Sequence, residues 1–185
     1  MNIFKMTRLR IYTTLMVTAA ELAHLLWEHF NGGVISHHLL NRSDLPAISN
    51  WWGIFLLPLL TWITVYFIEQ RSSKHLSDTS KVSSVHKNAI LGSCSAFIYG
   101  ACLAFCFANG YQTALSYLFP GLFLLALLLP VFRAEFLLGF VLGMALIFGA
   151  ILPMIVAGVV ALLSSFSHLV VWPFSVRFWK IITRS

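Results

Sequence analysis

The sequence is poor in charged residues, which make up 10% of its 185 positions. Soluble domains carry roughly 25%. Hydrophobic residues account for 59%, so the composition excludes an ordinary soluble domain. It predicts an all-α fold, a polytopic transmembrane helix bundle that forms one integral membrane domain over residues 1–185.

Cysteine is also scarce, and several familiar motifs are missing. The three cysteines, Cys94, Cys102 and Cys106, lie in one apolar run without a CxxC pair. Cys102 and Cys106 would share one helix face, where a disulfide has poor geometry, and we interpret them as small packing residues. No P-loop, dinucleotide-binding glycine pattern, GxSxG elbow or HExxH occurs, so no motif names a reaction.

Acidic residues are outnumbered, and the formal net charge is +6. The basic residues stand in short clusters beside apolar runs, a pattern typical of membrane topology and of attraction to anionic lipid headgroups. Membrane lipids are therefore the expected partners, and nucleic acid is not. The basic N-terminal head leads into an apolar run with Glu21, His24 and Glu28, which predicts an uncleaved first transmembrane helix rather than a signal peptide.

A spanning helix needs about 20 mostly apolar residues. The sequence predicts six such spans, at about 11–30, 50–69, 88–108, 112–131, 134–149 and 152–171. The last two come from one long tract. That tract could instead be a single tilted helix kinked at Pro153 and followed by a surface helix, so five spans are the alternative. In the six-span reading a turn falls near residues 148–153, because glycine ends helices and proline suits the first turn of the next.

Basic residues set the predicted orientation. Clusters at the N-terminus, in the 70–87 linker and near the C-terminus all belong on the cytoplasmic side, which requires an even number of spans. The linker is rich in serine and lysine and reads as solvated and flexible. The tail at 172–185 alternates aromatic and basic residues, as an interfacial anchor does. We expect a bacterial inner membrane, with the N-terminus in the cytoplasm.

Ionisable and amide residues are concentrated in one part of the chain, where eleven of them fall within residues 21–50. On a helix Glu21, His24 and Glu28 lie within about 60° of one another. Charged groups at the centre of a bilayer cost at least about 2.5–3.5 kcal/mol each, so they face a bundle interior or a cavity. The polar stripe that Glu21, His24 and Glu28 form on one helix face therefore predicts a functional site, with Glu21 and Glu28 as candidate catalytic residues.

Outside this helix, the 31–49 segment is the predicted outer loop. Gly32 and Gly33 permit a sharp change of direction after the helix. The same outer side should hold further polar side chains, namely His37, His38, Asp44, Asn50, Asn109, Tyr111 and Gln112. Together they predict an outward-facing polar pocket roofed by the loop.

Imidazole and carboxylate groups are good ligands for zinc or iron. The candidate metal ligands are His24, Glu28, His37, His38 and Asp44. Asp44 could alternatively hold a histidine ligand in place through a hydrogen bond. Their spacing matches no metal signature, and the loop histidines could equally be ordinary surface residues, while Glu21 and His24 could be a hydrogen-bonded pair that orders the bundle.

Three functions are compatible with this stripe. The first is a membrane enzyme, with or without a divalent transition metal, that acts on a lipid-like substrate. The second is a proton- or cation-coupled transporter that uses Glu21, His24 and Glu28 as a relay. The third is a non-enzymatic scaffold or assembly protein that pairs with a protein partner or forms a homo-oligomer. Gly139 and Gly143 form a GxxxG pattern that would allow two helices to approach closely.

Overall fold

The computed structural model of the chain describes residues 3–38, 44, 46–75 and 78–174. The described part contains six α-helices, with a long connection between the first two and short connections between the others. Their bounds are α1 Ile3–Phe30, α2 Gly53–Ser73, α3 Thr79–Ala108, α4 Gln112–Leu128, α5 Ala134–Phe148 and α6 Ile151–Phe166. A π-helical segment, Ser167–Val171, continues α6. Residues 175–185, which hold most of the predicted interfacial tail, lie outside the described part.

The all-helical prediction is confirmed, and six helices are present in the described part. Three stretches are long and apolar enough to cross a membrane: Asn50–Ser73, Thr79–Ala108 and Ile151–Phe174. Helices α4 and α5 have only 17 and 15 residues, or about 26 and 22 Å, against roughly 30 Å of hydrocarbon. The chain is therefore a helical, membrane-compatible protein, and six full spans are not confirmed.

The long apolar tract divides into two helices at Gly149, as the six-span reading predicts. Gly149 has φ +65°, a left-handed conformation that glycine adopts without steric cost. Pro153 falls in the first turn of α6, where proline fits a helix, so it does not kink a continuous one.

The predicted flexible linker at 70–87 is wrong in its extent. Helix α2 continues to Ser73 and α3 begins at Thr79, so most of the segment is helical. Asp78 caps α3, because its carboxylate accepts hydrogen bonds from the backbone N–H groups of Ser80 and Lys81. The Ser80 hydroxyl also donates to it, and these bonds lower the pKa of Asp78 below its ordinary value. Because such a cap stabilises the start of a helix, the polar residues after Asp78 are helical and lead directly into the apolar part of α3.

Helix α5 lies at the centre of the bundle and packs on α2, α3 and α6, whereas α1 packs mainly on α2. The predicted close approach at Gly139 and Gly143 is confirmed. A Cβ at Gly139 would meet the Ser93 carbonyl oxygen at 2.1 Å, and one at Gly143 would meet the Phe97 carbonyl oxygen at 2.3 Å. Helices α5 and α3 therefore pack with backbone against backbone at Gly139 and Gly143.

Two ion pairs join three helices at one end of the bundle, here called the inner end. The Arg10 guanidinium of α1 binds the Glu69 carboxylate of α2, with 3.0 Å between Nε and Oε2. Arg71 of α2 forms two hydrogen bonds to Glu135 of α5, at 2.9 and 2.6 Å. Glu69 and Glu135 are both buried. Several basic residues that signal topology in the sequence are thus also structural partners.

Candidate functional site

His24 lies between two buried carboxylates on α1. Its Nδ1 is 3.9 Å from Glu21 Oε2, and its Nε2 is 3.6 Å from Glu28 Oε1. Spacings of three and four residues bring these side chains together on one helix face. His24 Nδ1 is buried and forms no hydrogen bond with the described residues. The predicted polar stripe is therefore a cluster of three contacting groups, here called the Glu21–His24–Glu28 triad.

Glu28 is fixed by groups from outside its helix. Asn50 Nδ2 donates a hydrogen bond to Glu28 Oε1 at 2.9 Å, and the backbone N–H of Ile35 donates to Oε2 at 3.2 Å. The backbone N–H of Asn50 in turn donates to the Ile35 carbonyl at 3.0 Å. These bonds place the start of the outer loop directly over Glu28, whose side chain is 2% exposed.

The loop reaches this position through its glycines and a short hairpin. Gly32 and Gly33 have φ of +126° and +98°, which confirms the predicted change of direction after α1. Strand β1, Ser36–His38, then pairs antiparallel with β2, Ala47–Ser49, a two-stranded ribbon that helical periodicity could not reveal. A short 3-10 turn at Asn50–Trp52 follows and leads into α2.

Glu21 has a different environment from Glu28. Its carboxylate lies against Gly53, where a Cβ would come within 2.0 Å of Glu21 Oε1. No described residue donates a hydrogen bond to it, and its side chain is 7% exposed. Among the described residues, the polar neighbours of the buried Glu21 carboxylate are the other two members of the triad.

An open cavity of about 260 Å³ runs beside Glu21 and His24. Apart from these two, its lining is apolar and comes from four helices: Met16, Val17 and Ala20 of α1, Leu57 of α2, Phe97 of α3, and Leu142, Ala145 and Leu146 of α5. Met16, Phe97 and Leu146 are exposed on the outside of the bundle. The cavity, here called the α1/α5 cavity, therefore opens sideways between helices, whereas the sequence predicted a pocket facing the outer loop.

A second cavity, of about 170 Å³, lies among α3, α4, α5 and α6. Its polar lining groups are Ser95 and Tyr99. The Tyr99 hydroxyl donates to the Leu118 carbonyl and the Ser95 hydroxyl donates to the Gly92 carbonyl. Both groups already have partners, so this cavity presents no unsatisfied polar group to a ligand.

The predicted metal ligands are brought together only in part. His24 and Glu28 are in contact, and His37 and His38 lie on β1 opposite Ile48 and Ala47. The side chains of the two hairpin histidines lie outside the described part. Asp44 is exposed in the loop. Among the residues whose side chains the structure describes, no group of three or more His, Cys, Asp and Glu is arranged to hold a metal ion. The metal site remains a prediction.

The turn between α3 and α4, which was predicted to face outward, supplies fewer polar groups to the site than predicted. Asn109 donates its side-chain amide to the Phe105 carbonyl at 2.8 Å, and the Tyr111 ring packs beside Phe105. Gln112 begins α4, where its carbonyl accepts a hydrogen bond from the Ser116 hydroxyl. Of the predicted amide groups, Asn50 alone is seen bonded to the triad among the described residues.

Several residues that shape the site carry no sequence pattern that would reveal them. Gly53 makes room for Glu21, and Gly149 makes room for Asn50, whose Oδ1 would lie 2.0 Å from a Cβ there. The apolar walls of the cavity are ordinary membrane-helix residues in the sequence. Only the arrangement of α1, α2, α3 and α5 around the cavity assigns them a role.

The fold and the site thus describe a helical, membrane-compatible protein with a buried carboxylate–imidazole triad beside a lateral cavity. Comparison with protein-family models, with curated proteins and with solved structures finds no match to this chain.

Proposed function

We propose that this chain is a multi-pass membrane enzyme that takes a lipid-like molecule from the bilayer into the α1/α5 cavity. The observation that carries the proposal is the lateral opening of a largely apolar cavity directly onto Glu21 and His24. An apolar body suits the cavity walls, and the polar group of the same molecule would then lie against the triad.

The triad is equipped for proton transfer to or from such a polar group. Imidazole and carboxylate are the side chains most often used as general acids and bases. Glu28 is held by Asn50 and by the backbone of Ile35, and it contacts His24 Nε2. In this proposal Glu28 orients the imidazole, and His24 and Glu21, which line the cavity, act on the substrate.

The two ion pairs at the inner end favour this reading over a transmembrane relay. The Arg10–Glu69 and Arg71–Glu135 pairs hold α1, α2 and α5 together below the triad. A site that is reached from the side needs no path to that end. A proton or cation relay needs one, and none of the described contacts links Glu21 to either ion pair.

A metal-assisted form of the same site is the second candidate, and the outer loop supports it. Ile35, whose N–H binds Glu28, precedes His37 and His38 by only two and three residues. The backbone of the strand that carries His37 and His38 therefore starts next to the Glu28 end of the triad. Zinc or iron at that position would activate water or oxygen against the substrate.

Photo-crosslinking tests whether a lipid-like molecule uses the cavity. The protein is reconstituted in bilayers with a diazirine-bearing alkyl alcohol, and the labelled peptides are mapped by mass spectrometry. Ala20 lines the cavity and is exposed, so Ala20→Phe should fill the cavity and remove labelling at α1 and α5. Ala19→Phe, on the neighbouring exposed face, is the matched control and should retain labelling. Equal labelling of the two variants would overturn the proposal.

The catalytic part needs a separate measurement. The wild type and the Glu21→Gln and His24→Gln variants are incubated with lipid extract from the source membrane, and lipid classes are compared by mass spectrometry. We expect one class to change with the wild type and to remain unchanged with both variants. If the wild type binds the crosslinker in the cavity but alters no lipid, the chain is a lipid-binding protein and the proposed enzymatic activity is refuted.

A further inference from the structure

We infer that the α1/α5 cavity recognises an amphipathic cation, an apolar chain that carries an amine or ammonium group, with the Glu21 carboxylate as its counter-charge. This inference rests on the proposed function, because it names the class of molecule that enters the same cavity.

The distribution of partners among the four glutamates is the first support. Glu69 pairs with Arg10, and Glu135 pairs with Arg71. Glu21 and Glu28 have no arginine or lysine among their described contacts, and they share one imidazole. One imidazole can carry at most one positive charge, so the triad contains one more carboxylate than it contains groups able to become cationic.

The surroundings of Glu21 show where the missing charge would lie. Glu28 receives two hydrogen bonds from neutral donors, whereas no described residue donates one to Glu21. Glu21 is more than nine-tenths buried, and it lines the cavity. A buried carboxylate that accepts no hydrogen bond from the described residues is unfavourable, so a cation that enters the cavity would relieve that cost.

The rest of the cavity restricts the cation to one with an apolar body. The eight lining residues other than Glu21 and His24 are all alkyl or aromatic. A small hydrated cation would lose its water against these walls without finding replacement ligands. An ammonium group on an alkyl chain satisfies both parts of the cavity, with its head at Glu21 and its chain toward Met16 and Leu146.

Three probes with one chain length separate charge from hydrophobicity: octylammonium, octanol and octanoate. Binding is measured by titration calorimetry to the protein in phosphatidylcholine nanodiscs, with empty nanodiscs subtracted. A hydrogen-bonded charge pair predicts that octylammonium binds at least about tenfold more tightly than octanol, with octanoate weakest.

Variants assign the preference to Glu21. Glu21→Gln should lower the affinity for octylammonium about tenfold and leave that for octanol unchanged. Asp78→Asn, a carboxylate change outside the cavity, is the matched control and should alter neither. Equal binding of all three probes that Ala20→Phe abolishes would overturn the cation preference and leave the lipid-like substrate standing. Binding that Ala20→Phe does not affect would overturn both. The wild-type probe series decides the question even if Glu21→Gln does not fold.

Discussion

The α carbon of Gly53 lies against the Glu21 carboxylate, so closely that a Cβ would come within 2.0 Å of Oε1. Helix α2 thus begins with the one residue that leaves room for the acid of α1. We expect Gly53→Ala to displace Glu21 or to separate the helices, at a cost of about 1–3 kcal/mol. The readouts are the free energy of unfolding in detergent and the crosslinking yield in the α1/α5 cavity.

Gly158 supplies the control for this change. It is also helical, and a Cβ there would meet nothing within 4 Å. Gly158→Ala should leave crosslinking unchanged and stabilise the protein by up to about 1 kcal/mol, because glycine weakens a helix interior. If Gly53→Ala behaves like Gly158→Ala, the contact with Glu21 is unimportant.

Asn50 is the second residue expected to matter beyond its own helix. Its amide binds Glu28, and its Oδ1 packs against Gly149 at the α5–α6 turn. Asn50→Ala leaves one oxygen of a buried carboxylate unsatisfied and should destabilise the protein by about 1–3 kcal/mol. Asn109→Ala is the matched change, because Asn109 donates only within its own exposed turn. Equal destabilisation of the Asn50→Ala and Asn109→Ala variants in thermal unfolding would contradict this role of Asn50.

Removing one partner of the Arg71–Glu135 pair should destabilise the inner end. Arg71→Met leaves the Glu135 carboxylate buried without its partner. Breaking a buried pair costs about 3–5 kcal/mol, and we expect the lower end because Arg71 is one-third exposed. The double variant Arg71→Met with Glu135→Leu should recover much of the loss, since no charge stays buried. Chemical unfolding of Lys81→Met, from an exposed pair, gives the baseline.

Metal content separates the two candidate forms of the site. If the hairpin completes a metal centre, detergent-purified wild type should carry about one zinc or iron per chain. His37→Ala with His38→Ala should lose it, as measured by elemental mass spectrometry. His75→Ala with His86→Ala removes two histidines near the α2–α3 connection and should keep it. A folded wild type without metal refutes the metal-assisted form.

The predicted orientation can be tested with single cysteines. In a variant whose native cysteines are replaced, Ser83→Cys and Asn109→Cys introduce exposed thiols near opposite ends of α3. In intact cells a membrane-impermeant maleimide should label Asn109→Cys and leave Ser83→Cys unlabelled until the cells are opened. The reverse pattern would place the N-terminus outside.

Helix periodicity and composition were sufficient to predict part of this fold. They predicted the helical class, the division of the last tract at Gly149, and the GxxxG contact of α5. These features depend on local conformation or on one face of one helix. The prediction of a flexible linker at 70–87 is wrong because composition does not reveal a helix cap such as Asp78. The hairpin was not foreseen because its strands are only three residues long.

The same distinction between local features and contacts between helices applies to the candidate site. The Glu21–His24–Glu28 cluster follows from spacing within α1, whereas its surroundings depend on how separate helices meet. No pattern in the sequence shows that Arg71 binds Glu135 or that Gly53 faces Glu21. The direction in which the cavity opens likewise depends on the gap between α1 and α5, which do not adjoin in the chain.

The brevity of α5 has a consequence for the lipid next to Leu146, the residue at which this central helix is exposed. A helix of about 22 Å is shorter than the hydrocarbon layer, and bilayers adjust to short helices by thinning. Leu146 of α5 stands at the mouth of the α1/α5 cavity, near the outer end of this short helix. Thinning there would lower the headgroup layer toward His24 and Glu21, so that a membrane-bound amphiphile could reach the triad without leaving its own depth in the leaflet.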